Sequence, residues 1–191
     1  MASQALIFLL ETFLGLFALA LLLRFYLQLF RAPPRNQLSQ FLAAVTDFAV
    51  IPARRVIPGL WGVDMATLVL AWLTEVLLQL LVLTLKGYAL GSAIGVELVA
   101  IGLFAAVKVL KVSIYILMVA VIAQAVLSWV NPYSPAAPIL DALTRPFLRP
   151  LRRRIPPIAN VDLSPLFVLV LCQLALMVPV AWLEMNISRM F

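Results

Sequence analysis

The segment Pro52-Ala-Arg54-Arg55-Val-Ile57-Pro58, followed by Val63-Asp64, returns 98 positions later as Pro150-Leu-Arg152-Arg153-Arg-Ile155-Pro156, followed by Val161-Asp162. The same offset, without a gap, lays Pro34 on Pro132, Ala44 on Ala142, Thr46 on Thr144, Leu68 on Leu166, Leu73 on Leu171 and Leu78 on Leu176. Two copies of one unit call for two copies of one local structure, so the repeat sets the topology and also marks where the halves have diverged. The units divide the chain into a first repeat at 1–86, an apolar insertion at 87–108 and a second repeat at 109–191. A hydrophobic fraction of 65%, a charged fraction of 12% and a mean hydropathy of +1.12 leave too little polar surface to face water. The expected fold is an all-α integral membrane protein.

Apolar runs over 5–30, 64–85, 109–130 and 163–185 are each long enough to cross a hydrocarbon core of about 30 Å at about 1.5 Å per helical residue. The N-terminal Met-Ala-Ser-Gln carries no cation and Glu11 interrupts the first run, so that run reads as a retained span, not a cleaved leader. Nine of the eleven arginines fall in two segments: Arg31, Arg35, Arg54 and Arg55, then Arg145, Arg149, Arg152, Arg153 and Arg154. Arg-rich loops stay cytoplasmic, which places both segments on one side, makes the repeats parallel and puts both termini outside.

Between the copies, Gly87, Gly91 and Gly95 form a small-residue stripe with Gly102 beyond it. Three structures suit 87–107: a re-entrant or interfacial helix, an extension of the third span, or a glycine-weakened connector. As a helix, the stripe would suit a helix–helix contact within a homo-oligomer. Inside each arginine segment the apolar positions recur at helical spacing, namely Leu38, Phe41, Leu42, Val45 and Phe48, then Ile139, Leu140, Leu143 and Phe147. These predict short amphipathic helices lying at the headgroup boundary, with Asn36 and Ser134 as N-caps and the proline-flanked arginines just after them. Asp64 and Asp162 are expected to cap the outgoing spans.

Span, amphipathic loop, Pro-x-x-Arg-Arg-x-Ile-Pro, Val-Asp, span: this order resembles the YggT family of bacterial inner-membrane proteins, in its two-repeat form, over nearly the whole chain. Asn131-Pro132-x-Ser134-Pro135, Thr144-Arg145-Pro146-Phe147-Leu148-Arg149-Pro150 and Asp162-Leu163-Ser164-Pro165 carry the likeness in the second copy. The first copy departs from it, with Ala66-Thr67 for Ser-Pro and Asp47-Phe48 for Arg-Pro. The resemblance implies a multi-pass protein linked to osmotic-shock tolerance and ion homeostasis, and, through the single-repeat YlmG relatives, to division or assembly of membrane complexes. It brings no catalytic residue with it.

The residues themselves suggest no enzyme. Histidine is absent and Cys172 stands alone, which removes His-based triads, the common zinc sites and any intrachain disulfide. No phosphate-binding glycine loop or nucleophile elbow is present, and no metal or cofactor is expected. Two candidate sites remain. Arg54, Arg55, Arg145, Arg149, Arg152, Arg153 and Arg154 are candidates for docking anionic lipid headgroups or a partner membrane protein. Nucleic acid is disfavoured, because no exposed aromatics interleave with the arginines. Glu75, near mid-span, together with Gln79, Gln124, Gln173 and an inward-bending Arg24, could form a polar seam along the repeat axis, serving either packing or ion passage. Glu11 overlays Val109, between Lys108 and Lys111, so an ion pair across the repeats is a further expectation.

Overall fold

In lipid every backbone amide must find its partner within the segment, and a continuous apolar run does so as a helix. The computed structural model describes residues 2–33, 36–59, 62–88, 94–154 and 162–189, and these are organised as helices. Those long and apolar enough to cross a membrane are α1 (Ala2–Leu29), α3 (Met65–Leu85), α4 (Ile94–Val130) and a C-terminal rod, Ser164–Ser188. The rod consists of α6 (Ser164–Ala175), a π-helical turn at Leu176–Val180 and α7 (Ala181–Ser188). Pro179 sits in that turn, where the wider winding accommodates a ring that lacks an N–H and would clash with the preceding turn. Two shorter helices, α2 (Gln37–Val56) and α5 (Ala137–Arg152), connect the spans.

α1 packs along α3, α3 along α4, and α4 along α6 and α7. The amphipathic helices share one end of the bundle: Leu42 of α2 and Ile139 and Leu143 of α5 enter one apolar cluster with Leu27 of α1. The Phe30 and Phe147 rings meet there at 6.2 Å. The two repeats are therefore parallel, as the charge pattern predicts.

Residues 94–107 resolve as an extension of the third span. α4 has 37 residues, about 55 Å of helix, and its N-terminal half packs Ala100 and Val107 against Val180, Leu183 and Ile187 of the C-terminal rod. Gly87 and Gly95 do not share a helix. Gly87, at φ +82°, ends α3: its N–H bonds the Thr84 carbonyl and the Tyr88 N–H bonds that of Leu83. This is a Schellman stop, which glycine adopts without steric cost. Gly91 lies outside the described residues, as do Arg35 and the Ile155–Val161 part of the second motif, and Gly95 faces open space. The close approach uses Gly102 instead. Its carbonyl accepts from the Trp72 indole N–H at 2.9 Å, and a Cβ there would stand 3.3 Å from the Trp72 ring.

α1 stops in the same way as α3, but with Arg31 at φ 53° in the left-handed position: the Arg31 N–H reaches Gln28 and the Ala32 N–H reaches Leu27. Asn36 caps α2 through the Ser39 N–H at 2.7 Å, as expected. Ser134 does not cap α5; its hydroxyl takes only the Ala136 N–H at 3.3 Å, and the helix begins at Ala137 with Pro138 in its first turn. Both amphipathic helices also run further than the sequence suggested, through Pro52 in one and Pro150 in the other. Arg54 and Arg55 of α2 and Arg149 and Arg152 of α5 consequently lie in the last helical turn, where the helix dipole favours cations.

Candidate functional site at the arginine-bearing end

Each amphipathic helix is fixed to its repeat by a buried threonine at its middle. Thr46 and Thr144 are fully buried and donate to the carbonyls of Leu42 and Leu140, at 2.6 and 2.8 Å. What meets each hydroxyl from the incoming span differs. In the first copy Arg24 donates to Thr46 Oγ1 and to Asp47 Oδ1, both at 2.7 Å, while in the second the Gln124 amide lies against Thr144.

The motif arginines then staple the C-terminal end of each helix to the start of the outgoing span. Arg54 grips Asp64 Oδ2 through Nε at 3.2 Å and Nη2 at 2.5 Å, and Arg152 Nε meets Asp162 Oδ2 at 2.7 Å. The two carboxylates do different work besides. Asp64 makes no helix-capping bond, contrary to expectation, whereas Asp162 Oδ1 also accepts the Ser164 N–H at 2.9 Å. Burial alone would push the Asp162 carboxyl up, but the Ser164 N–H and the Arg152 guanidinium outweigh it and hold the group below its ordinary value. Sequence reasoning assigned Arg54 and Arg152 to an external ligand. Their partners were signalled by the arginine and the aspartate recurring in both copies ten residues apart.

Pairing sorts the remaining cations. All four aspartates of the chain lie at this end and each takes one arginine: Asp47 with Arg24, Asp64 with Arg54, Asp141 with Arg145, and Asp162 with Arg152. Among the described residues Arg31, Arg55, Arg149, Arg153 and Arg154 keep exposed guanidinium groups with no side-chain partner. Beside them α2 exposes Phe41, Val45, Phe48 and Ile51 while burying Leu42, Thr46 and Val50. An apolar flank with cations at its end is the arrangement of a helix resting at a bilayer surface.

The intramembrane polar residues do not assemble into a seam. Arg24 is committed to Thr46 and Asp47 and does not pair with Glu75. Gln124 belongs to the Thr144 contact, Gln79 is half-buried, and Gln173 is exposed on the outer surface of α6. Glu75 is 5% exposed and, among the described residues, has neither a hydrogen bond nor an ion pair. Lys108 and Lys111 do not reach Glu11, which is exposed. Both turn to Glu184, Lys111 at 2.9 Å from each carboxylate oxygen and Lys108 at 3.8 Å. Because Glu75 has no bond to lose, Glu75→Leu is expected to leave the thermal unfolding midpoint in detergent unchanged or higher. A fall of more than about 4 °C, on the order of 1–2 kcal/mol for a chain of this size, would show a stabilising role.

A family model described as CCB3/YggT matches residues 3–85 and again residues 103–183. An uncharacterized protein of Pseudomonas aeruginosa is 37% identical over 167 residues, covering 86% of this chain and 83% of its own. An uncharacterized protein of Vibrio alginolyticus, from the proC 3′ region, is 32% identical over 169 residues, 88% and 89% of the two chains. The uncharacterized protein YggT of Escherichia coli K12 is 30% identical over 169 residues, 88% and 85% of the two chains. No solved structure matches the chain.

Proposed function

Since the chain belongs to the CCB3/YggT family of membrane proteins, we propose that it is a non-enzymatic scaffold of the bacterial inner membrane whose arginine-bearing end faces the cytoplasm and docks anionic lipid or a partner membrane protein, with an effect on osmotic-stress tolerance. One observation carries this reading: after every aspartate has taken its arginine, Arg55, Arg149, Arg153 and Arg154 remain exposed at the end where α2 and α5 meet. Each cation held at an anionic surface contributes about 1 kcal/mol, and the attraction is screened within a Debye length of about 8 Å. The variant with all four changed to glutamine should still insert and fold, because the four apolar spans are untouched and Arg54 and Arg152 keep their aspartates. In mixed-lipid nanodiscs it should lose salt-sensitive enrichment of phosphatidylglycerol, and in a deletion strain it should fail to restore survival of osmotic shock. Full enrichment together with full survival would remove the proposal.

A second reading, ion homeostasis through a conducting path at Glu75, is favoured by the burial of that carboxyl without a hydrogen bond among the described residues. Purified protein in liposomes should then pass ions above the empty-vesicle rate, and Glu75→Gln should change the flux.

A further inference from the structure

Beside the first staple, α1 and α2 enclose a cleft of about 430 Å³. Its polar wall is made by the guanidinium groups of Arg24, Arg31 and Arg54 with Gln28 and Ser39, and Leu27 and Leu42 form its apolar side. Two of the guanidiniums are fixed in place, Arg24 by Thr46 and Asp47 and Arg54 by Asp64, while Arg31 has no side-chain partner among the described residues. Among the described residues, three cations against the two aspartates leave a single positive charge, which suits one phosphodiester. Pre-set guanidinium forks recognise phosphate oxygens with little ordering cost. The cleft also lies where α1 ends and α2 carries its exposed phenylalanines, which is the depth of a headgroup.

The repeat supplies an internal control. Arg24, Gln28, Arg31 and Ser39 overlay Ile122, Val126, Trp129 and Ala137, so only Arg152, the equivalent of Arg54, is kept in the second copy. The staple is common to both halves. The cleft with this lining is built in one, and the second copy instead opens a pocket of about 440 Å³ between Asp141, Arg145, Arg149, Arg152 and Arg153.

We propose that the α1–α2 cleft of the first repeat is a binding site for the phosphate of one anionic phospholipid, with Arg31 as its adjustable contact beside Gln28, whose Oε1 accepts from Arg54 Nη2 at 3.5 Å. Basic pockets between spans at the cytoplasmic end hold phospholipid headgroups in this manner. The inference shares with the proposed function the placement of this end against anionic lipid, but it concerns one stoichiometric, salt-resistant lipid, not diffuse enrichment around Arg149, Arg153 and Arg154.

Native mass spectrometry of the full detergent-purified chain tests it, using phosphatidylglycerol and phosphatidylcholine of matched acyl chains and glycerol 3-phosphate as a soluble control. One phosphatidylglycerol should persist at high salt with at least tenfold preference over phosphatidylcholine. Arg31→Gln with Gln28→Leu should abolish that preference without moving the unfolding midpoint, while Arg149→Gln, Arg153→Gln and Arg154→Gln together should leave it intact. Equal retention of phosphatidylcholine, retention unaffected by the Arg31 and Gln28 changes, or glycerol 3-phosphate displacing the lipid at equal concentration would each overturn the site. Loss in the Arg149, Arg153 and Arg154 variant alone would overturn it and leave the proposed scaffold standing. Loss in the cleft variant alone supports the site whatever becomes of the scaffold.

Discussion

Arg54→Gln should destabilise the protein by about 3–5 kcal/mol, whereas Arg152→Gln, the same substitution at the equivalent position of the other repeat, should cost at most about 1 kcal/mol. The difference follows from the aspartates. The Asp64 side chain is 4% exposed, so removing Arg54 strands a carboxylate that cannot recover its hydration. The Asp162 side chain is 39% exposed and keeps the Ser164 N–H, so water and the helix end compensate for the lost guanidinium. Unfolding midpoints in detergent measure both. The double variant Arg54→Gln with Asp64→Asn should recover most of the loss, because the stranded charge is gone; equal effects of the two single substitutions would contradict this account. The second staple adds a pH signature. The folded Asp162 carboxyl is held below its ordinary value, so its stabilisation is complete above the ordinary aspartate range and fades as pH falls through the lower folded value. Asp162→Asn should remove that acid dependence.

Cysteines introduced at Arg55 and at Arg153, with Cys172→Ser, should both react with a membrane-impermeant maleimide from the cytoplasmic side and not from the periplasmic side. A cysteine at Ser188 should behave in the opposite way. The expectation combines two independent facts. α2 and α5 meet at one end of the bundle through Phe30, Phe147 and the cluster around Leu143, and that end carries the unpaired arginines. Arginine-rich segments near spans resist translocation, which selects the side. The response is all-or-none, since a buried bilayer separates the two reagents' access. Labelling of positions 55 and 153 from opposite sides would require the bundle itself to be wrong, and reversed labelling of both would overturn only its orientation.

The sequence was informative wherever the deciding quantity is local along the chain. Hydropathy located the four spans, because burial of a run in lipid depends on that run alone. The 98-residue offset and the placement of arginine predicted parallel repeats, and the period of Leu38, Phe41, Leu42 and Val45 predicted α2. Prolines misled, because Pro52 and Pro150 read as lying beyond the amphipathic helices yet sit inside helices held by their packing. Gly87 read as part of a contact surface, although its place after Thr84 and Leu85 makes it a stop.

The candidate site was only half legible. That arginines cluster at this end is a property of the sequence. Which of them are free is a matter of who reaches whom, and that is fixed by the angle at which α2 and α5 fold back onto the spans. Arg54 and Arg152 are withdrawn by Asp64 and Asp162, Arg24 by Asp47, and the lysines of α4 by Glu184 of α7. Ion pairing falls off within a few ångströms and ignores distance along the chain, so the tertiary structure alone decided which charges were spent internally and which were left for a ligand.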